Sequence, residues 1–404
     1  MWEEIGMAAV ALPNETLLAI LGYLESNVLV HVTQVSRRFR ALAEYLLYSA
    51  VIINDVMDDV QHVPHRTIGW CEAMLWRPHL ADSVRRVQIR WSATRTPRTG
   101  LLLVCEQLSL AIRTLTCLEH LELFLGPANL ASLPRENIHA VERAVFLCCL
   151  PALRFCSLGA EYTKGVQPYT GHLTSFLTQI PQLRHLRLSD HHSCLRLPPD
   201  CLPFLQSFRG SAAAAASVLP GRPVRYLWLI GQDSDVSREN LLCMTNTTTP
   251  ICSLDLSAIS ARPLLIRNVS ECIPTLERLR IRLALRHTLH YALSGMVSSK
   301  ASSFYRSLQK HVSFYSLLVG LSSVLSAFSN LVYLDLSPTL EGCRSNAADE
   351  RVLCTEYTRA CPSLRTVKFP SQVVWAQDNN DSNQWVIIER PDASRVFFPL
   401  PCRN

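Results

Sequence analysis

The side chains best suited to chemistry are two clusters of histidine and cysteine. His191, His192 and Cys194 stand close together, and Cys117 lies three residues before His120. Imidazole and thiolate are the ligands that zinc prefers. A structural zinc site needs a second ligand pair at similar spacing, but neither cluster has one and no C-x-x-C occurs. We therefore expect no metal site, and we interpret His191 and His192 as part of a polar loop.

Nucleophile and cofactor motifs are also missing. The sequence has no G-x-S-x-G elbow, no H-E-x-x-H pair and no glycine-rich phosphate loop, and it holds only 14 glycines. Its 13 histidines are scattered over 404 residues. We therefore expect that the protein is not an enzyme and has no catalytic residues, metal or cofactor. An enzyme on an unrecognised α/β fold stays open as another class of function.

The composition is that of a globular intracellular protein. Hydrophobic residues make up 48% of the chain, and the formal charge of +6 is too small to indicate nucleic-acid binding. Glu3 and Glu4 stand where a secretory signal would be basic, so the 15 cysteines are expected to be reduced and mostly buried. The apolar stretch 312–328 has helical spacing, which favours a buried helix over a membrane span. We expect a protein of the cytoplasm or nucleus, with no membrane or nucleic-acid partner.

The first fifty residues predict three short amphipathic helices. Pro13 suits the start of the first helix, and Ser26 or Asn27 can cap the second. The apolar positions are Leu17, Ile20, Leu21 and Leu24 in the first helix, Leu29 and Val32 in the second, and Phe39, Leu42, Ala43, Leu46 and Leu47 in the third. Three helices within about 40 residues cannot bury all these faces alone, so the pattern predicts a partner.

Residues 12–50 resemble the F-box motif. The leading Leu-Pro of that family matches Leu12 and Pro13, its acidic residue matches Glu15, and its helical apolar positions match Ile20 and Leu24. Its V-C-(K/R)-x-W turn matches residues 35–39, Val35-Ser36-Arg37-Arg38-Phe39, with Ser36 in place of cysteine and Phe39 in place of tryptophan.

The resemblance implies a substrate-recognition subunit of an SCF-type ubiquitin ligase. An F-box binds a Skp-family adaptor, which links it to cullin and RING subunits, and a few apolar anchors dominate such helix-in-groove contacts. A non-catalytic F-box scaffold acting outside ubiquitination is the alternative. The predicted adaptor-binding residues are Leu12, Pro13, Glu15, Leu17, Ile20, Leu21, Leu24, Leu29, Val32, Val35, Arg38, Phe39 and Leu42.

The rest of the chain repeats the pattern apolar-x-x-apolar-x-apolar, in which the last two positions predict a short strand with one buried face. Copies begin at Val84, Leu118, Leu153, Leu183, Val224, Ile251, Leu276, Leu331 and Leu364, with a weaker copy at Leu205. A proline two residues before five of the copies ends the preceding helix: Pro151, Pro181, Pro203, Pro274 and Pro362. Helical spacing precedes several copies, at 101–115, 138–145 and 173–180.

Such units resemble the irregular leucine-rich repeats that often follow an F-box, including those frequent in fungal proteins. The predicted fold class is α/β, with the three-helix F-box followed by an irregular right-handed β-α solenoid with a parallel sheet. The copies are spaced by about 20 to 55 residues, where regular repeats hold near 20–29. The predicted domains are an extension over 1–11, the F-box over 12–50, the solenoid over 51–370 and a cap over 371–404. The lack of a glycine-rich loop disfavours a Rossmann-like fold.

The strand residues between the buried positions are the candidates for binding an unknown protein substrate. They point away from the helices, towards the open face. Exposed aromatic residues are credible anchors, and arginines two apart on one strand suit carboxylates or phosphates. The predicted substrate-binding residues are Tyr226, Trp228, Arg278, Arg280 and Tyr333.

Overall fold

The computed structural model describes residues 12–58, 63–93, 101–127, 129–131, 137–161, 171–283, 318, 321–339, 347–378 and 384–388. They form a mixed α/β structure that divides into two compact units. Unit 1 comprises Met1–Asp190 and Asp200–Pro203, and unit 2 comprises His191–Pro199 and Phe204–Asn404. This division falls inside the segment 51–370, for which the sequence predicts a single solenoid. None of the helices in the described residues has both the length and the apolar character needed to cross a membrane.

Unit 1 begins with the three predicted helices and continues into a parallel sheet. The three helices are α1 (Asn14–Leu21), α2 (Ser26–Val32) and α3 (Arg37–Ser49). The strands of the sheet are β1 (Ala50–Met57), β2 (Arg86–Ala93), β3 (His120–Pro127), β6 (Phe155–Glu161) and β7 (His185–Leu188), paired in this order. A separate antiparallel pair consists of β4 (Asn129–Ala131) and β5 (Asn137–His139). Helices between the strands are α4 (His65–Trp76), α5 (Pro78–Ala81), α6 (Leu101–Arg113), α7 (Ala140–Ala144) and α8 (Gly171–Thr178).

Unit 2 repeats the same strand and helix alternation. Its parallel strands are β8 (Ser207–Ser211), β9 (Tyr226–Ile230), β10 (Ser253–Ala261), β11 (Arg278–Leu283), β12 (Tyr333–Asp335) and β13 (Thr366–Lys368). Two antiparallel strands follow, β14 (Val374–Gln377) and β15 (Trp385–Ile388). The helices are α9 (Ala212–Val218), α10 (Arg238–Met244), α11 (Pro263–Cys272), α12 (Ser322–Leu325) and α13 (Ala347–Ala360), with a 3-10 turn at Asp233–Asp235.

All ten predicted copies of the apolar pattern lie at a parallel strand. Every apolar residue of these copies is at most 2% exposed, from Val84 in the first copy to Phe369 in the last. The alternation therefore identified which side of each strand faces the core, as expected for sheets covered on one side by helices. Strand β1 was not among the predicted copies.

The prolines act in turns that connect a helix to a strand. In four copies the proline is the second residue of a four-residue turn, and the N–H of the fourth residue donates to the C=O of the first, as in a type I turn. These bonds are Leu153 N to Leu150 O (3.1 Å), Leu183 N to Ile180 O (3.3 Å), Leu276 N to Ile273 O (3.3 Å) and Leu364 N to Cys361 O (3.0 Å). The fixed φ of proline suits this second position, so the residue sets the entry into the strand as well as ending the helix.

One backbone arrangement recurs at the start of the strands. A single carbonyl just before one strand accepts two N–H groups from the residues that lead into the next strand. Arg85 O, for example, accepts from Glu119 N at 2.8 Å and from His120 N at 3.0 Å. Seven more carbonyls do the same: Glu119, Arg154, Gln206, Arg225, Cys252, Glu277 and Val332. The entry points of successive strands are thereby aligned within each unit.

The helix predictions are confirmed where the structure describes them. Helices α6 and α8 overlap the predicted stretches 101–115 and 173–180 but end two residues earlier, and α7 is short because Ile138 belongs to strand β5. Only the end of the stretch 312–328 lies in the described residues, where Leu318, Leu321, Leu325 and Phe328 are buried around α12. The alanine run at 212–216 forms α9.

The C-terminal antiparallel strands are joined to α13 by a buried carboxylate. Glu350 accepts a hydrogen bond from Trp375 Nε1 at 2.9 Å and another from Ser371 Oγ at 2.6 Å. This contact holds the predicted capping segment against the last helix of unit 2. The apolar run at 396–398, also expected to be strand-like, lies outside the described residues.

A buried polar network joins the first strand of unit 1 to α4, the helix that follows it. The Asp55 carboxylate accepts from the backbone N–H groups of Arg66 (3.1 Å) and Thr67 (3.0 Å), at the start of α4. It also accepts from Thr67 Oγ1 at 2.7 Å, and that oxygen accepts from Trp91 Nε1 at 2.9 Å. All three side chains are buried, so each donor depends on its acceptor.

We predict that Asp55→Ala lowers the free energy of unfolding by about 3 kcal/mol, because it leaves buried donors without an acceptor and removes the cap of a helix. Asn54→Ala, at the exposed neighbouring position, is the matched control and should change it by less than about 0.5 kcal/mol. Urea denaturation followed by circular dichroism measures both. Equal effects of the two substitutions would show that the network does not stabilise the fold.

Candidate functional site

The three N-terminal helices enclose a small core of their own. Its buried residues are Leu17, Leu21, Leu29, Leu42 and Ala43, and the partly buried residues packed against them are Leu18, Val32, Phe39, Leu46 and Leu47. Four of the predicted adaptor-binding residues, Leu17, Leu21, Leu29 and Leu42, thus face inward. We assign them to holding the helices together, so that they can act on a partner only by shaping the surface.

The predicted single stripe on the first helix divides in two. Helix α1 ends at Leu21, and Leu24 lies in the turn that follows, where its N–H donates to Leu21 O at 3.0 Å. Leu17 and Leu21, four residues apart, point inward, while Ile20 (50% exposed) and Leu24 (37% exposed) face outward. The prediction that Leu24 belongs to the helix is therefore wrong, because the chain leaves the helix before it.

The outward side carries a high density of apolar side chains. Between residues 12 and 45, eight large apolar residues are exposed: Leu12, Ile20, Tyr23, Leu24, Val28, Val30, Val35 and Tyr45. Tyr23, Val28, Val30 and Tyr45 were not predicted from the sequence, although Tyr23 is the most exposed of the eight at 92%. An exposed apolar surface of this density marks an interaction site more often than chance.

Polar contacts fix the geometry of this surface. The guanidinium of Arg38 donates through Nε to Asn14 Oδ1 at 2.8 Å and through Nη2 to the carbonyl of Leu12. Arg38 therefore ties α3 to the entry of α1, and its predicted contact with an adaptor stays a prediction. Pro13 and Glu15 are exposed beside it.

The helix caps differ in part from those expected. Ser36 Oγ accepts from Phe39 N at 3.2 Å and caps α3, so serine at the position where the F-box motif often has cysteine has a structural role. For α2 neither predicted cap is found. Glu25 is the N-cap residue, Ser26 is already helical, and Asn27 Oδ1 accepts only from the adjacent Val28 N.

A comparison with known families matches this segment. Residues 9–53 match the family model described as F-box-like. The chain carries an F-box-like domain. The match extends the predicted span of 12–50 by three residues at each end, and it covers the three helices and the first residues of β1. No curated protein matches the chain.

The F-box-like domain continues into the sheet of unit 1 without a linker. Helix α3 ends at Ser49 and β1 begins at Ala50. The carbonyl of Ser49 accepts from Arg85 N at 2.9 Å, next to the start of β2. The Glu44 carboxylate of α3 also lies 3.7 Å from His79 Nε2 of α5.

The five predicted substrate-binding residues lie on one face of unit 2. Tyr226, Arg278 and Tyr333 form one row across the strands, and Trp228 and Arg280 lie in the next row. We call this the unit 2 strand face; it also contains Arg209, Ser253, Asp255, Asp335, Thr366 and Lys368. The arginines point away from the buried Leu279 and Ile281, as predicted.

Two of these residues are less available than the sequence indicated. Tyr333 is only 8% exposed. Arg280 lies between two buried carboxylates, with Nη1 3.6 Å from Asp255 Oδ2 and Nε 3.2 Å from Asp335 Oδ2. Burial raises the pKa of Asp255, while the neighbouring Ser257 and Arg280 act to lower it. The Arg280 charge is thus compensated within the sheet.

Beside this ion cluster, the Arg209 guanidinium stacks on Trp228. Its central carbon lies 3.6 Å from the ring centroid, within the range of a cation–π contact. Trp228 therefore packs against its own sheet on one side. Tyr226 is half-buried in the neighbouring row.

A corresponding face of unit 1 was not proposed from the sequence, although His120, Glu122, His185 and Arg187 were expected to point to the open side. We call it the unit 1 strand face. It consists of Arg86, Gln88 and Arg90 on β2, His120, Glu122 and Phe124 on β3, Phe155 and Ser157 on β6, and His185 and Arg187 on β7.

Aromatic stacking organises this face. The rings of His120 and Phe155 are parallel to within 7° with centroids 3.9 Å apart, and His185 lies 6.2 Å beyond Phe155. The Arg187 guanidinium lies 4.9 Å from the Phe155 centroid, and that of Arg90 lies 4.9 Å from Phe124. Gly159, on the same face, leaves room for Ser189, because a Cβ there would lie 2.8 Å from Ser189 Cβ.

Both histidines of this face are held neutral. Burial, followed by the positive charges of Arg86 and Arg187 and by His185, lowers the pKa of His120 to about 3. Burial, with Arg187 and Arg184, lowers the pKa of His185 to about 4. The imidazoles are therefore uncharged near neutral pH and serve as aromatic surfaces.

The clusters considered for metal binding remain apart. His120 belongs to the stacked row just described, while Cys117 precedes the strand. His191 is buried and Cys194 is exposed. In the part of the chain that the structure describes, no group of three or more His, Cys, Asp or Glu side chains is arranged to hold a metal ion.

We predict that stability falls as the pH decreases below about 6.5, the ordinary histidine pKa, towards 4. In that window the unfolded chain binds protons at His120 and His185 that the folded chain does not, which favours unfolding. The double variant His120→Gln and His185→Gln should lose less stability between pH 7 and pH 5 than the wild type. Urea midpoints at the two pH values measure this. His65→Gln, at an exposed position, should leave the wild-type dependence unchanged, and a double variant as acid-sensitive as the wild type would contradict the assignment.

Proposed function

We propose that this protein is the substrate-recognition subunit of an SCF-type ubiquitin ligase. F-box domains generally bind Skp-family adaptors, and the family match of residues 9–53 is the observation that carries the proposal. In this assembly the adaptor links the chain to cullin and RING subunits, in the cytoplasm or nucleus. The chain itself is non-catalytic, and its role is to bring a protein substrate to the ligase.

The exposed apolar residues of the F-box-like domain support adaptor binding. Ile20, Leu24 and Val35 occupy apolar positions of the F-box motif and lie outside the core, and Tyr23 and Val28 are also exposed. A domain that buries only five residues in its own core and exposes eight large apolar ones gains much by covering them. We assign the direct contacts to the exposed residues.

The strand–helix repeats of unit 1 and unit 2 support a role in substrate binding. We propose that they are irregular leucine-rich repeats. Their register is set by the carbonyls that each accept two N–H groups and by the apolar pattern, and not by a constant repeat length. Helices cover the side of the strands where the apolar residues lie, which leaves the strand faces for a protein partner. The unit 2 strand face, with Tyr226, Trp228 and Arg278, remains a candidate surface.

Replacement of Ile20 and Leu24 by Asp should abolish binding of a Skp-family adaptor. The loss of one apolar anchor costs about 2 kcal/mol or more, which is roughly thirtyfold in affinity, and a buried charge adds to that cost. Both side chains are outside the core, so the fold should be retained. Calorimetric titration of the purified chain with adaptor measures the loss.

Leu264→Asp is the matched control, since Leu264 is a 66% exposed leucine on helix α11 of unit 2. This variant should bind adaptor as the wild type does. Undiminished adaptor binding by the double variant would refute the proposed interface. Affinity capture from cells then tests the ligase role: recovery of the adaptor together with cullin is expected, whereas adaptor without cullin indicates a scaffold.

A further inference from the structure

The unit 1 strand face differs from that of unit 2 in how its positive charges are compensated. It carries Arg86, Arg90 and Arg187, and one acidic residue, Glu122. Within the described residues, none of the three arginines has a carboxylate oxygen within 4.0 Å, whereas Arg280 of unit 2 has two. An arginine left without a carboxylate at a protected surface is well suited to bind one from a partner.

The local contacts of these arginines hold them in place, and Glu122 is the acidic residue that acts on Arg187, from beyond ion-pair distance. Arg86 donates through Nη2 to Gln88 Oε1 at 3.3 Å, and among the described residues its Nε has no hydrogen-bond partner. Arg187 and Arg90 rest on the rings of Phe155 and Phe124. Stacking on an aromatic ring fixes the plane of a guanidinium and leaves its N–H edge available to an anion.

The spacing of the arginines defines what could contact them together. Arg86 lies on β2 and Arg187 on β7, three strand spacings away and two residues further along, which together give about 16 Å at about 4.8 Å for each spacing and about 3.3 Å for each residue. Arg90 is four residues along β2 from Arg86, which is about 13 Å. An extended peptide covers about 3.4 Å for each residue, so anionic side chains about four to five residues apart match these separations.

Two rows of residues lie between the arginines: an aromatic row and, beside it, a polar row of Gln88, Glu122 and Ser157 that leads to Arg187. The stacked rings of His120 and Phe155 lie in the row that joins Arg86 to His185, and the positive charges of Arg86 and Arg187 help to keep His120 uncharged. The neutral rings of the aromatic row suit a peptide backbone, and the three arginines outnumber the single carboxylate, Glu122, of this face. The net positive charge favours acidic side chains over a basic segment.

We propose that the unit 1 strand face binds an extended acidic segment of a partner protein, with carboxylates or phosphates at Arg86, Arg90 and Arg187. The assignment of this segment to the substrate of the ligase rests on the proposed function. Asp or Glu side chains and phosphorylated residues both supply the anionic oxygens that the arginines would bind.

The test measures the binding of labelled probes to the full chain by fluorescence anisotropy at low and moderate salt. The probes are an oligoglutamate peptide, a Gly-Ser peptide with two phosphoserines about four residues apart, its unphosphorylated form, and oligothymidine. The test variant combines Arg86→Gln, Arg90→Gln and Arg187→Gln. The matched control combines Arg196→Gln, Arg267→Gln and Arg351→Gln, three arginines of unit 2 that lie outside the strand faces.

At least one anionic peptide should bind the wild type and the control variant, and the test variant should bind it about tenfold or more weakly. Binding of oligoglutamate alone assigns carboxylates, and binding of the phosphopeptide alone assigns phosphates. Arg90→Gln alone, at an exposed position, should weaken binding several-fold. Because this single substitution should not disturb the fold, it tests the site even if the triple variant misfolds.

Three results would overturn the proposal. The first is that neither anionic peptide binds the wild type, and the second is that the test variant binds the peptides as well as the control variant does. The third is that oligothymidine binds the wild type more tightly than both peptides and loses this binding in the test variant. Adaptor binding is measured on the same preparations. A wild type that binds adaptor but neither anionic peptide rejects this inference alone, whereas a wild type that fails to bind adaptor rejects the proposed function.

Discussion

The carbonyl that accepts two N–H groups at the entry to eight of the parallel strands is the constraint from which most of the structure follows. It is a backbone contact, so it places no demand on side-chain identity, and Arg, Glu, Gln, Cys and Val all supply it. It aligns successive strands at their first residues and leaves the length and sequence of the segment between two strands unconstrained. Successive acceptors can accordingly be close in the sequence, as Gln206 and Arg225 are, or far apart, as Glu277 and Val332 are. The irregular repeat length is thus compatible with a regular sheet.

The strands of this sheet were predictable because their apolar positions repeat, and the exceptions have physical causes. Strand β1 was not predicted because its inward residues are Ile53, Asp55 and Met57, and a buried carboxylate interrupts the apolar alternation. Asp55 is tolerated there only because it accepts hydrogen bonds from Arg66 and Thr67 at the start of α4, which follow it in the chain. The end of α1 at Leu21 was missed for another reason: Gly22 follows as the C-cap residue and is a common helix stop, but the apolar spacing continued past it to Leu24.

The sites were predictable in type but not in detail. Periodicity identified Leu17, Ile20, Leu21 and Leu24 as apolar positions of one segment, but it could not separate core from surface, since that depends on where α2 and α3 pack. The pairing of Arg280 was hidden for a similar reason. Asp255 and Asp335 lie on β10 and β12, the strands on either side of β11, and both are distant from Arg280 in the sequence. In contrast, the alternation within single strands correctly placed the polar residues of both strand faces opposite the core.

The direct continuation of α3 into β1 bears on how the chain would work in the proposed role of substrate receptor. A ligase must hold its substrate at a defined distance from the transferred ubiquitin, so flexibility between the adaptor-binding domain and the substrate-binding surface is a disadvantage. Here α3 ends at Ser49, the sheet begins at Ala50, and the Ser49 carbonyl accepts from Arg85 N beside β2. A rotation of the F-box-like domain would therefore have to break backbone bonds of the first sheet strands. The unit 1 strand face begins on β2, the strand next to β1. A segment bound at Arg86 and Arg187 would be positioned by the same strands that hold α3.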